Sequence, residues 1–156
     1  MRIHRWNWSH NTTCGFVAAF LIFGAAMRPS PGNADGAIAV ALPANVAKQG
    51  FSYGISSGYP DVNQAEAHAL DKCRTTKDAQ NDVKMRSLCK VILDFKNQCG
   101  SVSMDPQAGT PGVGWSVADD LRTAESQALS KCEQTAGPGR AAACKVDHSS
   151  CDGTAK

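Results

Sequence analysis

Ala65-Glu-Ala-His-Ala-Leu-Asp-Lys-Cys73 recurs as Ala124-Glu-Ser-Gln-Ala-Leu-Ser-Lys-Cys132, 59 residues downstream. Self-similarity is read before any local pattern, because it fixes the unit from which a fold is built. The match extends in both directions. Gly54-Ile-Ser56 pairs with Gly114-Trp-Ser116, Leu88-Cys-Lys-Val91 with Ala143-Cys-Lys-Val146, and Cys99 with Cys151. The offset falls from 60 through 59 and 55 to 52, which places small deletions in the loops of the second copy. Solenoids need a shorter period and more copies. Two copies of this length imply one pseudo-symmetric domain with halves at 36–98 and 99–151.

Each half reads alike. Residues 36–42 are a short apolar run before Pro43, a strand, and 51–56 alternate, a second strand paired back on the first. Tyr59-Pro-Asp-Val62 is a turn. Asn63-Gln-Ala-Glu66 has capping-box spacing and places a helix start at Asn63. Ala65, Ala69, Leu70 and Cys73 follow at helical spacing as a narrow, small-residue face that lets the helix lie close to a sheet. Residues 74–87 are a polar connection with room for an extra helical turn, and 88–95 are the strongest strand. The second half repeats this with strands at 99–105, 113–117 and 142–148 and a helix at 123–134, broken from its last strand by Gly137-Pro-Gly139. The expected class is α+β: two pseudo-symmetric ββαβ half-repeats forming a mainly antiparallel sheet with two helices packed on it.

The N-terminus addresses the compartment. Arg2, His4, Arg5 and His10 precede the apolar run from Cys14 to Met27, with no acidic residue before it. A basic start and a short apolar core is the layout of a secretory signal. The run is 14 residues long, whereas spanning a bilayer takes about 20. The reading is a signal peptide over 1–34, cut after Ala34, with Ala26 as the alternative cut and an uncleaved anchor as the competing reading. Residues 35–156 then form a single domain in the periplasm or outside the cell, without a stable membrane anchor. Loss of Arg2, Arg5 and Arg28 leaves 13 basic against 14 acidic residues, so the basic balance of the whole chain belongs partly to the leader. No basic stripe with interleaved aromatics remains, which argues against nucleic-acid binding.

Six of the seven cysteines lie beyond the leader: Cys73, Cys89, Cys99, Cys132, Cys144 and Cys151. In an exported domain with an Ala-rich core, an even number reads as a disulfide framework. A zinc site is disfavoured by the lack of any CxxC and by only two histidines, His68 and His148, outside the leader. No metal and no cofactor is expected. Among the 15 possible connectivities of six cysteines, the repeat selects 73–89 and 132–144, which hold equivalent places. That leaves 99–151, expected to tie the two halves across the pseudo-twofold.

The run of pieces at 36–39, 53–56, 65–73, 89–91, 95–100, 114–116 and 124–132 resembles the domain-of-unknown-function 4189 family. The resemblance covers roughly 36–151. It implies an exported bacterial protein, as a single domain or part of a larger chain, and implies no activity. The acidic Asp119-Asp120 and the strand region 51–59 do not match each other, so the two half-surfaces differ.

Candidate chemistry is sparse. Glu66 and Glu125 hold the second position of the repeated helix motif, and as a carboxylate pair they would serve acid/base work. The competing reading has each satisfying open amides at a helix start. His68 has Gln127 as its counterpart and reads as a surface or half-buried side chain. Ser56, Ser116 and His148 form no nucleophile pattern. Gly54 and Gly114 recur within strands, where close packing against the helix explains them. The 109–114 loop lacks the lysine of a phosphate loop. Trp115 beside Asp119 and Asp120 would suit a protein-binding edge. The function expected is therefore a non-enzymatic module that binds another protein. The alternatives are a small cell-envelope hydrolase using Glu66 and Glu125, and a structural accessory of an envelope complex.

Overall fold

The computed structural model describes residues 35–80 and 82–156; the signal-peptide reading of 1–34 lies outside them. The layering follows from the first strand. In β1 (Asp35–Ala41), Ala37, Ala39 and Ala41 alternate with Ile38 and Val40, and all five are buried. Successive strand side chains point to opposite faces. One face of β1 is thus a row of methyl groups, and the other is branched. The methyl face receives α2 (Val62–Thr75) through Ala65, Ala69 and Cys73. The branched face joins Phe51, Ile55, Phe95, Val102 and Val113 in a second core, to which both sheets contribute.

β1 is the central strand of its sheet, antiparallel to β2 (Ser52–Tyr59) and β3 (Lys90–Phe95). The second sheet repeats this order, with β4 (Cys99–Met104) between β5 (Val113–Ala118) and β6 (Lys145–Cys151). α5 (Leu121–Ala136) covers it with Ala124, Ala128 and Cys132 buried. The layers run helix, sheet, sheet, helix. The α+β class and antiparallel pairing are as expected, but the strands divide into two three-stranded sheets. Because the first strand of each half lies in the middle, each half completes its own sheet. Its branched face is then covered by the other half.

Several boundaries move. α2 starts at Val62, one residue before Asn63, and its cap is Asp61, whose carboxylate accepts from Gln64 N at 3.0 Å and Gln64 Nε2 at 2.7 Å. Asp120 caps α5 in the same way, accepting from Thr123 N at 2.9 Å and Thr123 Oγ1 at 2.7 Å. A charged acceptor in the cap position prevails over the capping box expected at Asn63. The 74–87 connection holds two short helices, α3 (Lys77–Gln80) and α4 (Val83–Leu88), so Leu88 ends a helix instead of opening a strand. A fifth helical segment, α1 (Val46–Gln49), joins β1 to β2. The last strand begins at Lys145, after a 3-10 turn at Ala141–Ala143.

Gly54 and Gly114 make the close approach of helix to sheet possible. A Cβ on Gly54 would lie 2.1 Å from Ala69 O and 2.7 Å from Cys73 N. On Gly114 it would lie 2.2 Å from Ala128 O and 2.5 Å from Cys132 N.

The bridges are Cys73–Cys89, Cys132–Cys144 and Cys99–Cys151, the pairs selected from the repeat. The role expected of the third needs correction. Cys99 opens β4 and Cys151 ends β6, directly opposite one another in one sheet. This bridge closes the second half on itself. Among the residues that tie the halves is the next one, Asp152, which is 1% exposed. Its carboxylate accepts from Gly58 N at 3.0 Å and Asn97 N at 3.2 Å, and its own amide donates to Gln98 O at 2.9 Å.

Candidate functional site

The two sheets meet along a seam between β2 and β6, each an edge strand of its own sheet. Three side-chain hydrogen bonds close it. Tyr53 Oη donates to Asp147 Oδ2 at one end. Ser57 and Ser150 share a hydrogen bond at 2.5 Å, and Gly58 N donates to Asp152 at the far end. Between the first and second bonds, at Ile55, the seam opens into a groove of about 430 Å³. Tyr53, Gly54, Ile55, Lys72, Thr76, Asp147 and His148 line it. Alternation along β2 builds this wall. Ser52 and Ser56 turn to α2 and donate to Cys73 O at 2.7 Å and Ala65 O at 2.6 Å, so Tyr53 and Ile55 turn the other way.

Four polar side chains of the groove, Tyr53, Asp147, Lys72 and Thr76, are engaged in hydrogen bonds. Burial holds the Tyr53 hydroxyl protonated well above the ordinary tyrosine range, and the Asp147 carboxylate adds to this as acceptor and as negative charge. Lys72 reaches from α2 across the open edge of β2 and donates to Ile55 O at 2.7 Å. Its counterpart Lys131 does the same for Trp115 O on β5 at 2.9 Å. Thr135 adds a second clasp on β5, accepting from Val113 N and donating to Val113 O, each at 2.8 Å. His148 and Asp147 are exposed at the groove mouth.

A second cleft, of about 450 Å³, lies at one end of the domain between α1 and the 105–112 loop, with Phe51, Met104 and Val113 among its lining. Asp105 anchors that loop. It is buried and accepts from Arg140 Nε at 2.8 Å, Arg140 Nη2 at 2.7 Å and Gln107 N at 3.0 Å. These bonds, the Arg140 pair foremost, bring its pKa down to about 2. Both carboxylate oxygens are taken, so Asp105 holds the loop and has no free acceptor for chemistry.

The residues singled out from the sequence are dispersed. Glu66 is on α2 and Glu125 on α5, the two outer layers, with both sheets between them. Stacked sheets are about 10 Å apart before the helices are added, while paired glycosidase carboxylates lie roughly 5–9.5 Å apart. The two carboxylates share no cleft. Glu125 instead accepts from Ser149 Oγ at 2.8 Å. Trp115 stacks on Phe51 with ring centroids 6.1 Å apart and is partly buried in the inter-sheet core. Asp119 accepts from Gln98 Nε2 at 2.9 Å, and Asp120 is the α5 cap, held below the usual carboxylate range chiefly by the Thr123 amide. No hydrogen bond among the described residues joins Trp115 to either aspartate. His68 stacks on Tyr59 at 4.4 Å. Ser116 donates to Gln127 Oε1 at 2.5 Å, and neither Ser56 nor Ser116 bonds His148. The described residues contain no group of three or more His, Cys, Asp or Glu placed to hold a metal.

Tyr53 and Asp147 carried no individual signal in the sequence. Tyr53 and Asp147 are 94 residues apart and meet only because β2 and β6 become neighbours. Lys72 and Lys131 were visible as the repeated lysine before each helix cysteine, the one trace of the edge-clasping role.

Fold and site together define a class: a small α+β domain of two antiparallel three-stranded sheets, three disulfides and a groove at the inter-sheet seam. Disulfides of this number persist in oxidising compartments, and no helix among the described residues is long and apolar enough to cross a membrane. The chain belongs to the family described as Domain of unknown function (DUF4189), whose model matches residues 36–151. A search of the curated proteins found no match, and neither did a search of the solved structures.

Proposed function

We propose that the protein is an exported binding module of the periplasm or cell exterior that holds another protein in the groove at the β2–β6 seam. The observation that carries this reading is the engagement of Tyr53 and Lys72, the polar groups flanking Ile55, with His148 standing outside this set at the rim. Tyr53 is a fixed donor engaged with Asp147, and Lys72 is engaged with a backbone carbonyl. A nucleophile or general base needs a group free to change its proton, whereas recognition needs groups that hold still around an apolar floor. Ile55 supplies the floor, and Tyr53 belongs to the residue types that dominate binding energy at protein interfaces. The groove volume suits one or two side chains of a partner, with His148 and Asp147 at its rim.

Site-specific photocrosslinking in the native cell tests this. A photoreactive residue at His148 or Thr76 is expected to give one dominant protein adduct, and the same residue at Glu133 on the exposed face of α5 none. Adducts of equal strength at all three positions would favour a structural accessory gripped on several faces. No adduct at the groove positions, with release of a small molecule from added envelope extract, would favour an enzyme.

A further inference from the structure

The charge of the domain is unevenly distributed. Residues 74–90 hold Arg74, Lys77, Lys84, Arg86 and Lys90 against Asp78 and Asp82, a net of +3. The rest of 35–156 has eight basic residues against 12 acidic, a net of −4. The two helices of this stretch, α3 and α4, are anchored to the domain. The Cys73–Cys89 bridge clamps the ends of the stretch, α3 and α4 pack on one another and on α2, and Met85 turns into the α2 core at 2% exposed. With Met85 inward, helical geometry turns Val83 outward between Lys84 and Arg86. Val83 is 70% exposed, the highest of any exposed large apolar side chain among the described residues, and Leu88 on the same helix is 39% exposed. Nothing in the fold demands this. The equivalent segment of the second half, 133–145, has only Arg140, already paired with Asp105, and Lys145.

We infer that the α3–α4 face docks the domain on an anionic phospholipid surface, with Val83 entering the headgroup layer and Lys84, Arg86, Arg74 and Lys90 over the lipid phosphates. An apolar tip ringed by cations is the pattern that lies in a membrane interface, where area and charge add. The acidic remainder is repelled by the same surface, so it selects this face over the others. Asp82 caps α4, its carboxylate accepting from the Lys84 and Met85 amides, and the stretch keeps its net of +3 with that charge counted. The patch has no aromatic side chain for base stacking, which a single-stranded nucleic-acid site would use.

Flotation with vesicles tests this on the chain isolated from an oxidising compartment with its bridges intact. Vesicles of phosphatidylglycerol in phosphatidylcholine are compared with phosphatidylcholine alone, in low and high salt. Binding is expected only with phosphatidylglycerol and in low salt. Lys84→Gln with Arg86→Gln is expected to weaken it roughly 30-fold, and Val83→Ser about five-fold, with melting temperatures unchanged because all three side chains are exposed. Equal binding to phosphatidylcholine alone would place the affinity elsewhere in the chain and overturn the assignment. So would unaltered binding of the Lys84/Arg86 variant. Retention on polyglutamate matching that on vesicles and indifferent to Val83→Ser would assign the patch to an acidic protein and overturn the membrane reading.

Discussion

Substitution of Gly114 by alanine tests the central packing claim. The added methyl would lie 2.2 Å from Ala128 O and 2.5 Å from Cys132 N. Both are helix backbone atoms, so no side-chain rotation relieves the overlap. Ordinary contact lies about 1 Å further out, and α5 would have to recede from β5 by that amount along the contact made by Ala124, Ala128 and Cys132. Overpacking of this kind costs about 3 kcal/mol, the upper part of its usual range. For a domain of this size that lowers Tm by about 12 °C. Gly54→Ala meets the same atoms in the other half, at 2.1 and 2.7 Å, and is expected to match it. The two sites lie on opposite layers, so the double variant should lose roughly the sum. Gly139→Ala, with nothing within 4 Å of its added methyl, is the control. Thermal and urea melts followed by circular dichroism under non-reducing conditions read all four. If both glycine variants fell by less than about 4 °C, or the control fell as far, the close approach would not be what these positions require.

Three further outcomes are expected. Asp152→Ala removes the buried acceptor of the Gly58 and Asn97 amides and should cost about 3 kcal/mol; faster hydrogen exchange at those two amides would locate the damage at the junction of the halves. Replacing Cys99 and Cys151 by alanine opens a loop of 52 residue steps, against 12 for Cys132 and Cys144. Chain-entropy reasoning makes the first pair costlier, at about 4 against about 3 kcal/mol, and urea melts of the two variants would show the reverse order if the reasoning fails. Asp105, with its folded pKa about 2 against the usual 3.8, contributes stability that is complete above that usual value and is lost as pH falls toward 2. Arg140→Gln should flatten this acid limb of a stability-versus-pH curve, and an unchanged limb would remove the pair from the account.

The sequence carried the units of this fold further than their assembly. The repeated Ala-Glu-x-x-Ala-Leu-x-x-Cys motif placed both helices, their small-residue faces and the bridges that end them, because these depend on residues close in the chain. Ala37, Ala39 and Ala41 alternating with Ile38 and Val40 held the clue to two separate layers, yet an apolar run of seven residues reads as one buried strand until something is known to lie on each face. The groove was least legible. Its two walls come from β2 and β6, and no local pattern records that Tyr53 will meet Asp147. Asp152 was hidden for a similar reason, since its partners are backbone amides, which every residue but proline carries. Glu66 and Glu125 were suggestive as a pair only while both helices were pictured on one face.

The lysines that cross to Ile55 O and Trp115 O have a consequence beyond the fold itself. Strands β2 and β5 are sheet borders, and a border with unanswered carbonyls is a template on which another chain's strand can grow. An ammonium group already seated on that carbonyl removes the acceptor, and an incoming strand would have to bury the charge it displaced. Each half thus has its own gatekeeper against fibril-like stacking. A chain with Lys72 and Lys131 both replaced by alanine should keep its melting temperature within a few degrees and yet lose its solubility on concentration, which light scattering would report long before unfolding began.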